Sequence, residues 1–213
     1  MNRLGLIAIV LAPIVTGGYF AMRETGDDQV VNNQALQSAT PTATVLPEKI
    51  FAEPISNSIE RATKKPFGIY ITPSNSPIKP ERFSGYHTGI DFEIFPKEEE
   101  LNISVYAVCD GKLLRKTTIN GYGGVIVLGC VHEGEPITIV YGHIKLTSIK
   151  TVVGQRLLKG QPIAVLGKGF STETGGERKH LHLGVHKGPE INFRGYVQNS
   201  SGLNDWLDIM KFL

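Results

Sequence analysis

Four histidines and one aspartate in this chain stand at spacings that could hold a metal ion and move protons. In His87-Thr88-Gly89-Ile90-Asp91 two potential ligands are separated by three residues. On a straight strand they would share a face but lie about 13 Å apart, whereas the ligands of one zinc sit about 2.0–2.2 Å from it. The chain must therefore bend between them, and Gly89 is a residue that bends at low cost. A helix would also bring the pair together, but the alternation Ile90, Phe92, Ile94 argues for a strand. In His180-Leu181-His182-Leu183 both histidines project from one strand face, about 6.6–7 Å apart along the chain, and both leucines go to the core. One ring can bind an ion while its neighbour leans over an open coordination position. His143 closes the strand-like run 137–142, just where the chain leaves the sheet. Each pattern alone is ordinary. Together, an aspartate and several histidines on a cysteine-poor β domain suit Zn²⁺ with mixed nitrogen and oxygen ligands and room for water. A structural zinc would more usually recruit cysteine, so catalysis is the favoured role.

The elements that must position these residues read as short strands. Gly is abundant at 24 residues and Pro adds 12, a turn-forming content that favours many strands over a helical bundle. Strands are expected at 68–71, 90–94, 104–116, 125–131 and 137–142, twice within 151–167, and at 180–185. The glycine-rich turn 119–124 makes one hairpin and 132–136 a second. Only residues 203–213 read as helical. With no strand–helix–strand rhythm, the expected fold class is all-β, a mainly antiparallel sandwich or barrel with a short C-terminal helix. Cys109 and Cys130 lie nearly symmetrically about the 119–124 turn, which in an exported protein suggests a disulfide; two buried thiols are the alternative. His132, in the second hairpin turn, reads as solvent-facing. His186 lies six residues beyond His180, about 20 Å along a strand, too far to join the ion.

The chain has 213 residues, enough for one ordinary domain with length to spare. Residues 4–22 carry no charge, and at about 1.5 Å per residue they reach about 28 Å, long enough to cross a hydrocarbon core. Arg3 before the stretch and Glu24, Asp27 and Asp28 after it favour an outward-facing remainder. Residues 1–23 are thus either a single-pass membrane anchor or a cleaved signal peptide, and in both cases the rest is exported, to the cell envelope or beyond. Residues 24–65 are expected to be a flexible linker, and 66–213 the folded domain. The 22 basic and 20 acidic side chains give a formal charge of +2, with no cluster that would mark a nucleic-acid footprint. Gly167-Lys168-Gly169 resembles the end of a phosphate-binding loop, but Gly169 stands where a Ser or Thr is needed and Pro162 where a Gly is needed, so that reading fails.

GYHTGID (85–91), YGH (141–143) and HLHLGVH (180–186), with VGQRLLKGQPIAVLGKG (153–169) before the last, resemble in order the motifs of the LytM/lysostaphin family of zinc metallopeptidases. The likeness runs from about Pro66 to Lys187. It implies a duplicated hybrid motif fold, one zinc per domain held by His87, Asp91 and His182, and catalytic roles for His143 and His180. Two departures bear on the substrate groove: FSTETGGERKH (170–180) is longer and more polar than the family's short Gly/Ser turn, and His186 stands where relatives often carry Arg.

The resemblance further implies an endopeptidase that hydrolyses peptide bonds in the stem or cross-bridge of peptidoglycan, with zinc-activated water as nucleophile. One of His143 and His180 would take the water proton and the other would assist the oxyanion or the leaving amine. A monomer is expected, with wall peptides as substrate, the membrane as partner through the N-terminal segment, and no nucleic acid. The alternative is a non-catalytic wall-binding or activator module of the same fold. The complete set of five residues favours the enzyme.

Overall fold

The run Val125-Ile126-Val127-Leu128 has no polar alternation, and a strand of that kind needs cover on both faces. In the computed structural model, which describes residues 49–213, it has that cover. Ile126 and Leu128 enter the main core, while Val125 and Val127 pack with Tyr122 and Val140 in a second cluster. In chain order the strands are β1 (Tyr70–Ile71), β2 (Gly85–His87), β3 (Gly89–Glu93), β4 (Ser104–Tyr106), β5 (Gly111–Ile119), β6 (Gly123–His132), β7 (Glu135–Gly142), β8 (Arg156–Leu157), β9 (Pro162–Val165), β10 (His180–Lys187), β11 (Tyr196–Val197) and β12 (Trp206–Leu207). Every pairing between them is antiparallel.

The largest sheet runs β12-β10-β7-β6-β5-β8, and β3 also joins it through β10. One edge of β10 pairs with β7; its other edge pairs with β3 over the first half and with β12 beyond. Strands β1, β2 and β11 form a three-stranded sheet, and β4 and β9 a two-stranded one. The architecture is mainly antiparallel β, as the periodicity predicts. The two expected hairpins are present as β5–β6 and β6–β7.

Several expectations are corrected. The single strand expected at 104–116 is two, because β4 leaves to pair with β9 and β5 starts again at Gly111. Between them, Cys109 is disulfide-bonded to Cys130 of β6, with Cα atoms 6.4 Å apart. The C-terminal helix expected at 203–213 is absent. Two 3₁₀ turns, Ser200–Asp205 and Ile209–Lys211, flank β12 instead, since Trp206 and Leu207 pair with His186 and Val185 and are held extended. His132 does not face solvent: it is 8% exposed, sandwiched between Phe51 and Phe212 with ring centroids 5.2 and 4.9 Å away.

The linker boundary also moves. Residues 49–65 pack onto the domain: Phe51 and Ile55 are buried in the main core. The Phe51 N–H donates to the Phe212 carbonyl (3.3 Å), Ala52 N–H to Val108 (2.8 Å) and Tyr106 N–H to Pro54 (2.9 Å). A one-turn helix, α1 (Ser58–Arg61), follows. Its buried Arg61 is matched by Glu98, Nη1 to Oε2 at 2.7 Å and Nη2 to Oε1 at 3.0 Å, so the charge enters the protein paired. The anchor-or-signal segment at 1–23 and the linker as far as residue 48 lie outside the described residues. Among the described residues, no helix is long and apolar enough to cross a membrane.

Candidate metal centre

Strands β3 and β10 run side by side with His182 directly opposite Asp91 and His180 opposite Glu93. His87 ends β2 in the other sheet, and Thr88 alone separates the two strands. Thr88 is pinned at the corner: its N–H donates to the Gly195 carbonyl (3.0 Å) and its Oγ1 to the Arg194 carbonyl (2.6 Å). The bend inferred from the spacing is therefore present, but Gly89 serves a different purpose from the one expected. A Cβ at Gly89 would stand 2.5 Å from the Leu183 carbonyl oxygen and 2.8 Å from the His182 ring. Glycine is needed there for close approach, because it lets the ring of one donor settle over the strand that carries another.

The three donor atoms form a tight triangle. His87 Nε2 and His182 Nδ1 are 3.1 Å apart, His182 Nδ1 and Asp91 Oδ1 3.1 Å, and His87 Nε2 and Asp91 Oδ1 3.4 Å. A tetrahedral zinc with bonds of about 2.0–2.1 Å needs ligand atoms about 3.3–3.4 Å apart. The residues thus fit the ion in donor type, number and spacing, and all three are buried. The leucines between and after the β10 histidines, Leu181 and Leu183, go to the core as expected.

The second nitrogen of each ring is engaged, which decides where its lone pair points. His87 Nδ1 donates to the Pro66 carbonyl (3.3 Å), leaving Nε2 for the triangle. His182 Nε2 lies 3.2 Å from the Tyr122 hydroxyl, leaving Nδ1. His143 Nδ1 donates to the Thr174 carbonyl (3.0 Å) and His180 Nδ1 to the Arg178 carbonyl (2.9 Å). With Nδ1–H given to a carbonyl, His143 keeps its lone pair on Nε2, whereas His180 Nε2 is turned to the Asp91 carboxylate. The two rings stack with centroids 4.2 Å apart, and with Asp91, Tyr122 and His182 they line a cleft of about 300 Å³. His180 Nε2 lies 3.3 Å from Asp91 Oδ2. His143 holds a left-handed backbone, φ 63°, a conformation of order 1 kcal/mol above the ordinary regions for a side chain of this kind.

Burial sets the charge states. Desolvation pushes His87 down to about 3, against the opposing pull of Asp91. Desolvation and the neighbouring His180 hold His143 well below the ordinary histidine value. Burial favours the neutral form of Asp91, but His180 and His87 outweigh it and its carboxyl stays well below the usual range. The donor set thus includes one anion, Asp91, and a His87 ring that stays neutral. A pH dependence follows for the metal-free chain. His87 and His143 stay neutral in the fold but gain protons in the unfolded chain below about pH 6.5, so unfolding takes up protons there. Stability falls as pH drops below about 6.5, by up to about 1.4 kcal/mol per pH unit for each ring. Urea unfolding of the metal-free protein at pH 7, 6 and 5 measures this; a flat series would contradict it.

The structure brings all five expected residues, His87, Asp91, His143, His180 and His182, to one place. His186 stays apart, packed on Trp206 with ring centroids 4.9 Å apart. Other participants escaped the sequence reading. The polar segment 170–180, noted only as a departure in the groove, contributes the Thr174 and Arg178 carbonyls and the Arg178 guanidinium, whose Nη2 donates to Asp91 Oδ2 at 2.9 Å. The Lys65 carbonyl accepts from the Asp91 N–H (3.0 Å). The Lys65 ammonium meets Glu81 Oε2 at 2.5 Å and the Tyr196 hydroxyl at 3.2 Å on the cleft wall.

Fold and site together define a mainly antiparallel β domain with a buried His–Asp–His metal-binding constellation and two further histidines beside it, the constitution of a metallohydrolase. The chain belongs to peptidase family M23, whose model matches residues 85–193. A search of curated proteins found no match. Among solved structures, LytU is 25% identical over 79% of this chain and 86% of its own, with a TM-score of 0.46. Helicobacter pylori Csd3 is 24% identical over 70% of this chain and 35% of its own, with a TM-score of 0.43. A zinc-containing peptidase from Vibrio cholerae is 23% identical over 58% of this chain and 34% of its own, with a TM-score of 0.38.

Proposed function

We propose that this chain is a zinc-dependent endopeptidase acting on the peptide stem or cross-bridge of peptidoglycan. The observation that carries the reading is the donor triangle of His87 Nε2, Asp91 Oδ1 and His182 Nδ1, with edges of 3.1, 3.1 and 3.4 Å, beside the His143 and His180 rings, which line the same cleft. Those three atoms would hold the ion. When bound, zinc supplies Lewis acidity, lowering the pKa of water towards about 7 and polarising a peptide carbonyl.

The remaining work belongs to the chain. His143 and His180 stand ready for the proton transfers: one ring accepts the proton of the attacking water at Nε2 and, once it is the imidazolium, donates that proton to the leaving amine; the other can donate to the developing oxyanion only when protonated at Nε2. The Thr174 and Arg178 carbonyls hold Nδ1–H of both rings, so that Nε2 is the atom left for proton transfer. Each copy carries the whole constellation, so the reading requires no second chain. The Cys109–Cys130 disulfide supports an oxidising, extracytoplasmic setting, and the uncharged stretch 4–22 supports export, as an anchored or a released protein. A membrane-attached enzyme with a polar tether would have the reach to find wall peptide.

The test is the zinc content of the purified chain together with release of soluble peptides from purified peptidoglycan, with and without a chelator. One zinc per chain and chelator-sensitive release are expected. Stoichiometric zinc without cleavage of any wall peptide would leave only a wall-binding module.

A further inference from the structure

We propose that Arg178 is a positioning residue of the metal site, making Asp91 a ligand through one oxygen by occupying the other; the inference rests on the zinc reading above. The two Asp91 oxygens face different company. Oδ1 lies 3.4 Å from His87 Nε2 and 3.1 Å from His182 Nδ1. Oδ2 lies 2.9 Å from Arg178 Nη2 and 3.3 Å from His180 Nε2. The guanidinium is itself held: Nε donates to Glu93 Oε2 at 2.9 Å, and Nη2 also contacts Glu93 Oε1.

Glu93 stands two residues after Asp91 on β3, so the two carboxylates share a strand face. The side chains of Arg178, Asp91 and Glu93 are only 12%, 3% and 9% exposed. Two carboxylates this deep would repel each other strongly without a cation between them, and the planar guanidinium fork can meet both at once. The same residue offers its carbonyl to His180 Nδ1 at 2.9 Å. The Arg178 side chain therefore sets how many oxygens Asp91 presents to an ion, while the carbonyl of the same residue orients the His180 ring. A carboxylate with both oxygens free can close over a zinc and fill the position that a catalytic site keeps open. With Oδ2 engaged, that position stays available.

The experiment uses the full chain, stripped of metal and titrated with Co²⁺, whose visible absorption is stronger in four-coordinate than in five-coordinate sites. Arg178→Gln is expected to unfold cooperatively, to bind Co²⁺ about 10–100-fold more weakly, the range for outer partners of a metal ligand, and to absorb more weakly once bound. Arg178→Lys keeps the charge but not the fork and should fall between the two. An Arg178→Gln chain with unchanged Co²⁺ affinity and spectrum overturns the proposal. If only KM for wall peptide rises, the arginine contacts substrate instead, and the proposal also fails. Loss of cooperative unfolding in both variants would make it a structural pillar. If the unaltered chain takes up no Co²⁺, the metal reading itself falls, and this inference with it.

Discussion

Asp91→Ala is expected to lose zinc and wall-peptide hydrolysis together. Asp91 is the one anion in the donor triangle, and its carboxyl stays ionised in spite of burial. Without it, two neutral imidazoles are left facing a dication in a buried site. Structural zinc sites are worth about 10–16 kcal/mol over four ligands, so removing one donor should weaken binding by about 3 kcal/mol, a hundredfold or more. Chelator competition and metal analysis measure the loss, and hydrolysis should fall to background at zinc concentrations that saturate the unaltered chain. The fold should survive, since Arg178 keeps Glu93 as a partner and the β3–β10 pairing is made by the backbone. An Asp91→Ala chain that bound zinc with unchanged affinity would remove the triangle from consideration as the metal site.

His143→Ala and His180→Ala should give the opposite separation, with zinc retained and turnover lost. Neither ring belongs to the triangle, and both keep Nε2 for proton transfer because their Nδ1 atoms are bonded to carbonyls. Losing one general acid or base typically costs about 10²–10⁴-fold in rate, or about 3–5 kcal/mol of barrier. Each single variant should therefore keep one zinc per chain, keep KM within a few-fold and lose kcat by that factor. The double variant should lose little more than the worse single one, because groups acting in one proton-transfer sequence are not additive. Alanine at 143 would still have to hold φ 63°, so no gain in stability is expected with the loss of activity. A variant that kept kcat would take that ring out of the mechanism.

Side-chain chemistry at strand spacing was readable in the sequence; main-chain chemistry was not. The pair His180 and His182 could be placed on one face because a strand alternates, and the leucines between them went to the core as that requires. The bend after His87 followed from the distance a straight strand would impose. What fixes the rings could not be read, because Pro66, Thr174 and Arg178 use carbonyl oxygens, and every residue has one. Arg178 was visible only as a charge in an unusually long polar segment. Its partner Glu93 lies 85 residues away in sequence, and no local pattern reports such a pairing. The same limit explains residues 49–65. Phe51 and Ile55 are too few to show a period, and Pro54 interrupts them, so composition reads as tether while long-range burial makes them core. At the C-terminus, helical spacing lost to the strand partners that His186 and Val185 offered.

The packed N-terminal strap has a practical meaning for the limits of the functional unit. The family match begins at residue 85, and a fragment cut there would contain every histidine and the aspartate. It would lack the Pro66 carbonyl that holds His87, the Lys65 carbonyl that receives the Asp91 N–H, and the aromatic ring of Phe51 beneath His132. The signature of the family is therefore shorter than the folded unit, which in this chain extends back at least to Phe51.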